Sequence, residues 1–263
     1  MDSFYFAVPE GDLFAAYHPP KPGFARQSAV LLCCPLGHEY LNSHRAFRQI
    51  AIRLSELGYP VLRFDYFGCG DSGGGPEKAT LDLWLSNVTQ AAAQLKTRSQ
   101  AARLCLLGVR FGAAMAMTAA AKLGSVDSLV LWDPVVDGNS YLRELKAFHK
   151  QVLDLAEANS RGVVRPPAYD GLSLFGFGPH LVAELSQIDV LSIGGTPAKQ
   201  ILLIESTAES ANGHLSGRLR QWGANVDYRR LPGDESWKKN FDTVLLPGQV
   251  LPAVVNWVSE VCS

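Results

Sequence analysis

Short apolar runs alternate along this chain with segments whose apolar residues recur at helical spacing, and this alternation restricts the fold more than any other feature. Ala29-Val30-Leu31-Leu32-Cys33-Cys34 is apolar throughout, as a strand covered on both faces must be. Ser43 to Leu57 then carries Phe47, Ile50, Ala51, Leu54 and Leu57 at helical spacing and stops at Gly58. Tyr59–Phe64, Leu104–Leu107, Leu129–Trp132, Gln200–Ile204 and Asn225–Arg230 read as further strands. Helices are predicted over Thr80–Leu95 (Thr80 as the N-cap), Phe111–Leu123, Ser210–Trp222 and Leu251–Val261. Two strands at the start, Tyr5–Val8 and Leu13–Tyr17, are joined by Pro9-Glu10-Gly11-Asp12 as an antiparallel hairpin. Strands alternating with helices imply parallel pairing. The expected architecture is therefore an α/β fold: a doubly wound, mostly parallel eight-stranded sheet with function gathered at the carboxyl ends of its strands.

The alternation lapses once. From about Gly138 to Ile193 the chain reads as helix interrupted by Pro166-Pro167, Gly171, Gly176, Gly178 and Pro179. This is expected to be a cap insertion, residues 138–193, within a single domain spanning 1–263. A net charge of −1 with no block of one sign argues against a nucleic-acid or membrane partner. The start, Met1-Asp2-Ser3-Phe4-Tyr5-Phe6, lacks the basic and apolar regions of a signal peptide, and a cytoplasmic location is expected. Five irregularly placed cysteines fit free thiols in a reducing compartment. No Cys/His spacing resembles a zinc site, so neither metal nor cofactor is expected.

The segment that carries chemistry is Leu104-Cys105-Leu106-Leu107-Gly108-Val109-Arg110-Phe111-Gly112-Ala113-Ala114. A strand runs through Gly-x-Arg-x-Gly directly into a small-residue helix. That is the context of a nucleophile elbow, Gly-x-Ser-x-Gly, with arginine where serine would stand. Arginine stays protonated and donates hydrogen bonds, so it cannot replace a nucleophilic hydroxyl. At a helix N-terminus, where free N–H groups carry partial positive charge, it suits an anion instead.

On these residues, with Pro35-Leu36-Gly37-His38-Glu39-Tyr40, Phe64-Asp65-Tyr66-Phe67-Gly68-Cys69-Gly70-Asp71-Ser72 and Leu131-Trp132-Asp133-Pro134-Val135-Val136, the chain resembles the α/β-hydrolase superfamily. The likeness is to its serine-aminopeptidase-like branch, and within that to the exosortase-associated hydrolases. Relatives with this set of motifs can also hold arginine at the elbow. The resemblance implies backbone oxyanion donors at Leu36 and Phe111. It implies an acid at Glu209, with Glu205 a near alternative and Asp133 a displaced one. It implies a histidine base near Ser236, where Leu231-Pro232-Gly233-Asp234-Glu235-Ser236-Trp237 has none. Asp65 and Ser72 belong to a mainly structural loop motif. Polysaccharide-linked or other specialised biosynthesis is the implied setting.

The candidate catalytic residues are thus Arg110, His38, Glu209 and Asp133; Leu36, Phe111, Glu39, Ser236 and Trp237 are expected around the ligand. Arg110 either holds an anion or is tied to Glu209, Asp133 or Glu235. His38 is either an acid or base at the pocket rim or a rim histidine bonded to its loop. His149 and His180 lie in the expected cap, His44 and His214 on surfaces, His18 in a surface turn. Cys34 is a rival nucleophile or a packing residue. Cap aromatics Phe148, Tyr169, Phe175 and Phe177 are candidates to line an acyl pocket. Loss of a triad serine or histidine can cost roughly a millionfold in turnover. Three readings follow. One is an atypical enzyme acting on an acyl, carboxylated or thioester-linked small molecule, free or on a carrier, with Arg110 as the oxyanion binder. The second is a pseudo-hydrolase that binds a ligand or partner. The third is a hydrolase with a relocated nucleophile.

Overall fold

The computed structural model describes residues 1–159, 176–206, 213–233, 235–240 and 243–262. Eight strands form one sheet: β1 Asp2–Val8, β2 Gly11–His18, β3 Ser28–Cys33, β4 Val61–Phe64, β5 Arg103–Val109, β6 Ser128–Trp132, β7 Gln200–Glu205 and β8 Asn225–Arg230. Their spatial order is β1-β2-β4-β3-β5-β6-β7-β8. β1 and β2 pair antiparallel across a tight turn, β2 joins β4 antiparallel, and every later neighbour is parallel. This is the expected doubly wound sheet with an antiparallel edge hairpin. The hairpin turn is tighter than its Pro-Glu-Gly-Asp sequence suggests, because Gly11 already pairs with Val8.

The helices are α1 Gly37–Glu56, α2 Leu81–Ser99, α3 Phe111–Leu123, α4 Gly138–Asn159, α5 Pro179–Ser186, α6 Gly213–Gln221, α7 Ser236–Lys239 and α8 Val250–Val261. Strand side chains alternate between two cores, as a period of two requires. On β3, Ala29, Leu31 and Cys33 join the core beneath α2 and α3, while Val30 and Leu32 join the core beneath α1 and α8. Thr80 caps α2 as expected, its hydroxyl accepting from the Leu83 N–H at 3.1 Å. α4 and α5 stand between β6 and β7, where the insertion was predicted. Among the described residues no helix is long and apolar enough to cross a membrane.

Two expectations need correction. α1 begins at Gly37, well before Ser43. Its first turns bury His38, Glu39, Asn42 and Ser43, so an apolar repeat could not reveal them. His18 is not in a surface turn: it ends β2 and is buried, with its Nε2 accepting from Arg63 Nε at 3.3 Å.

Candidate functional site

Arg110 sits between β5 and α3 with φ 53° and ψ −123°, a conformation that costs a non-glycine residue about 1–3 kcal/mol. The flanking glycines explain why the turn is possible at all. A Cβ on Gly108 would lie 2.3 Å from the Gly112 carbonyl oxygen, and one on Gly112 would lie 2.1 Å from that of Cys33. The backbone is anchored too: the Arg110 N–H donates to Trp132 O at 3.0 Å, and its carbonyl accepts from Ala113 and Val135. The sharp turn from β5 into α3 is thus fixed by close backbone packing and by hydrogen bonds to the strand and loop beside it.

That side chain is held by two carboxylates. Its Nε donates to Glu39 Oε1 at 2.8 Å, Nη2 donates to Glu144 Oε2, and the guanidinium lies 5.4 Å from the centre of the Tyr141 ring. Tyr141 completes the cluster by donating its hydroxyl to Glu39 Oε2 at 2.9 Å. Arg110 and Glu39 are 9% and 2% exposed. Burial works against the Arg110 charge, but Glu39 and Glu144 outweigh it and hold the guanidinium above its usual pKa. The internal ion pair thus occurs, with partners other than those expected: Glu39 comes from the first turn of α1 and Glu144 from α4. Glu39 is a buried counter-ion, not a rim residue. Glu235 lies within 3.5 Å of Lys239 instead.

A second ion pair fills the rest of the site. Asp133 follows β6 with φ 45° and is 1% exposed. Its carboxylate accepts from the Ser206 N–H at 2.7 Å, from the Ser206 hydroxyl, and from Lys238 Nζ at 2.8 Å. Lys238 lies in α7, just past the position where the base was sought, and its side chain is only 11% exposed. Asp133 thus stands at the displaced-acid position but faces lysine instead of histidine. Glu205 turns elsewhere, toward the Tyr228 hydroxyl and Arg230. Glu209 lies outside the described residues.

His38, beside Glu39 in the chain, holds the backbone of α7. Its Nε2 donates to the Lys238 carbonyl oxygen at 2.7 Å, and its ring stacks on Phe148 at 3.6 Å. Burial lowers its pKa, so at neutral pH the ring is uncharged. The loop-bonded histidine of the sequence reading is what the geometry favours. Trp237, expected around the ligand, is 1% exposed in the core beneath α1 and α8, and its carbonyl accepts from Asn42 Nδ2 at 2.6 Å. Ser236 opens α7, and its side chain lies outside the description. Cys34 is buried, and burial pushes its thiol pKa well up, the reverse of what a thiolate nucleophile needs. Leu36 caps the start of α1, and Phe111 opens α3 fully buried against Trp84 and Tyr141.

Asp65 and Ser72 are structural, as expected. The Ser72 hydroxyl donates to the Asp65 carbonyl at 2.7 Å and accepts from the Phe14 N–H at 2.9 Å. His180 is exposed beside Glu184, and His149 is buried. Tyr169 and Phe175 lie outside the described residues. Among the described residues no group of His, Cys, Asp or Glu is placed to hold a metal ion. Lys238, Glu144 and Tyr141 were missed by sequence reasoning. Lys238 alone left a signal, as a cation two residues beyond the empty histidine position.

The profile of one family, serine aminopeptidase S33, matches residues 28–165, over half of the sequence. The chain belongs to that family. Its fold is shared with solved α/β-hydrolase structures. Est1E from Butyrivibrio proteoclasticus, solved with ferulic acid bound, is 18% identical with a TM-score of 0.68 over 98% of each chain. A thermostable carboxyl esterase from Bacillus coagulans, in complex with glycerol, is 13% identical with a TM-score of 0.67 over 100% of this chain and 99% of that one. The proline iminopeptidase of Mycobacterium smegmatis is 16% identical with a TM-score of 0.65 over 98% of each. No curated protein sequence matches. This family member shares that fold, with Arg110 at the turn between β5 and α3.

Proposed function

We propose that this chain is a non-hydrolytic member of its family, a small-molecule-binding protein in which two closed ion pairs replace the acyl-transfer machinery. The observation that supports the reading is the double engagement of Arg110 by Glu39 and Glu144. A buried guanidinium with two carboxylate partners has no charge left for an oxyanion, and Lys238 is spent on Asp133. The carboxylates that accept from hydroxyls, Glu39 from Tyr141 and Asp133 from Ser206, are each also held by a cation, so neither is free to act as a base. The test is ester turnover. Wild type and Arg110→Ser should both leave p-nitrophenyl acetate and butyrate at the uncatalysed rate, because a restored hydroxyl still lacks a base. Turnover by wild type that disappears on changing one defined residue would overturn it.

One observation favours the second reading, an atypical enzyme. The Glu144 side chain is 59% exposed, so its arm of the ion pair is open to exchange. An acyl carboxylate or thioester-linked ligand, free or carrier-borne, would take Nη2 in its place. Arg110 and the backbone N–H groups of Leu36 and Phe111 would then hold negative charge, with His38 as the nearest proton carrier. This reading requires Glu144→Gln to tighten the binding of a small carboxylate; unchanged affinity would leave the closed pair as the better account.

A further inference from the structure

A cavity of about 680 Å³ lies at the amino ends of β3, β5, β6 and β7, the opposite end of the sheet from the elbow. Its wall includes the exposed residues Ser125, Asp127, Thr196 and Lys199, so solvent enters it. Ser28, Ser128 and Cys262 lie in the same wall. Cys262 is the first residue beyond α8, and two serines hold it there. Its carbonyl accepts from the Ser28 hydroxyl at 2.6 Å, and its Sγ lies 3.0 Å from the Ser128 Oγ. Ser28 begins β3, Ser128 begins β6, and β5 runs between them. On β5, Cys105 is the register partner of both Val30 and Ser128. Residues two apart on a strand share a face, so Ser28, Val30, Cys105 and Ser128 all point to the α8 side. Cys105 and Cys262 therefore meet in the core beneath α1 and α8, and their thiols interact directly. Both are free thiols.

We infer that Cys105 and Cys262 are a redox-sensitive pair, which a hydroperoxide converts to a disulfide joining β5 to the end of α8. The pair stands apart from the Arg110 cluster and does not depend on whether the elbow catalyses anything. The Cys262 sulfur attacks one peroxide oxygen; the O–O bond breaks, the sulfur becomes a sulfenic acid, and water leaves. The Cys105 sulfur then attacks the sulfenic sulfur. The S–S bond forms, the S–O bond breaks, and the departing hydroxide takes the Cys105 proton to leave as water. Two thiols lose two electrons in all, and one hydrogen peroxide becomes two waters. A dithiol reductant reverses the step by exchange. The two cysteines are unequal in the way this order requires. The hydrogen bond from Cys105, with Ser128 and the nearby Arg103 charge, holds Cys262 below its usual thiol pKa in spite of burial. The same bond, with burial, pushes Cys105 well up. The thiolate is the nucleophile, so Cys262 meets the peroxide and Cys105 resolves the product. Cys262 is 3% exposed, which admits a molecule as small as peroxide when the helix end frays. Burial instead pushes the thiols of Cys33 and Cys69 up to about 12.

The experiment treats the full chain, reduced and freed of reductant, with hydrogen peroxide at neutral pH. Thiols are then blocked under denaturing conditions, and intact mass and tryptic peptides are read. The monomer should lose two hydrogens, regain them with dithiothreitol, and yield one cross-linked peptide pair holding Cys105 and Cys262. Cys33, Cys34 and Cys69 should still take the blocking reagent. Cys105→Ser should halt the reaction at a Cys262 sulfenic acid that dimedone traps, whereas Cys262→Ser should give neither disulfide nor trapped adduct. The wild-type peptide map decides the matter even where a core variant fails to fold. Unmodified Cys105 and Cys262, a disulfide between any other pair, a cross-linked dimer through Cys262, or over-oxidation of Cys262 without a bond to Cys105 would each overturn the assignment.

Discussion

Arg110 and Glu39 form a pair that neither residue can leave alone. Removing one partner of a buried ion pair strands the other, at a cost of about 3–5 kcal/mol. Glu39→Ala leaves Arg110 only the half-exposed Glu144 and is expected to destabilise the protein by up to about that much in urea unfolding, and Tyr141→Phe, which deletes a hydrogen bond to a charged acceptor, by about 1.5–3 kcal/mol. Glu144→Ala should cost under about 1 kcal/mol, because a half-exposed partner is solvated when free. Equal losses for Glu39→Ala and Glu144→Ala would mean that α4 anchors the arginine as firmly as α1. Replacing the pair together, as Arg110→Met with Glu39→Leu, should be far milder than either single change.

Among the elements, β3, β5, β6 and α3 could be read directly because their side chains are apolar and their periods clean. The start of α1 could not. Its buried face is polar because each group there has a partner: Asn42 Nδ2 bonds the carbonyls of Trp237 and Asn240 at 2.6 and 2.7 Å, His38 bonds Lys238, and Glu39 bonds Arg110. Hydrophobic periodicity is blind to burial that is satisfied by hydrogen bonds. The same contacts explain why the burial of Trp237 was not legible in the sequence. α7 is tied down onto α1, so its tryptophan turns into the core and its lysine toward Asp133. Asn42→Ala should therefore loosen α7 without touching β3 or β5, visible as faster amide exchange confined to residues near 236–240. Uniformly faster exchange through the sheet would contradict that division of labour. The elbow was legible because its glycines are required by contact, whereas Glu144 and Tyr141 were not, since nothing in the sequence orients α4 over the sheet.

At the level of the whole molecule, buried histidines set the acid side of the stability profile. Burial lowers the His18 pKa to about 4, with nearby Arg63 adding to the effect, and burial lowers His38 as well. Both are neutral when folded and titrate near 6.5 when unfolded. The unfolded chain therefore takes up protons first, and stability falls as the pH drops from about 6.5 toward about 4. His18 can account for at most about 3 kcal/mol of that loss. His18→Gln should flatten this limb of a plot of melting temperature against pH, and an unchanged slope would remove His18 from the account. The fold class, sheet order and elbow followed from pattern. The pairing of charges across α1, α4 and α7 did not, because it depends on tertiary contacts between segments far apart in the chain.

The claim on which the account turns is that the elbow is closed to acyl chemistry, and intact-protein mass spectrometry after incubation with a fluorophosphonate tests it most directly. The account predicts no adduct across neutral and alkaline pH, for wild type and Arg110→Ser alike. A stoichiometric adduct on wild type, mapped to one serine or cysteine and lost on its substitution, would contradict it.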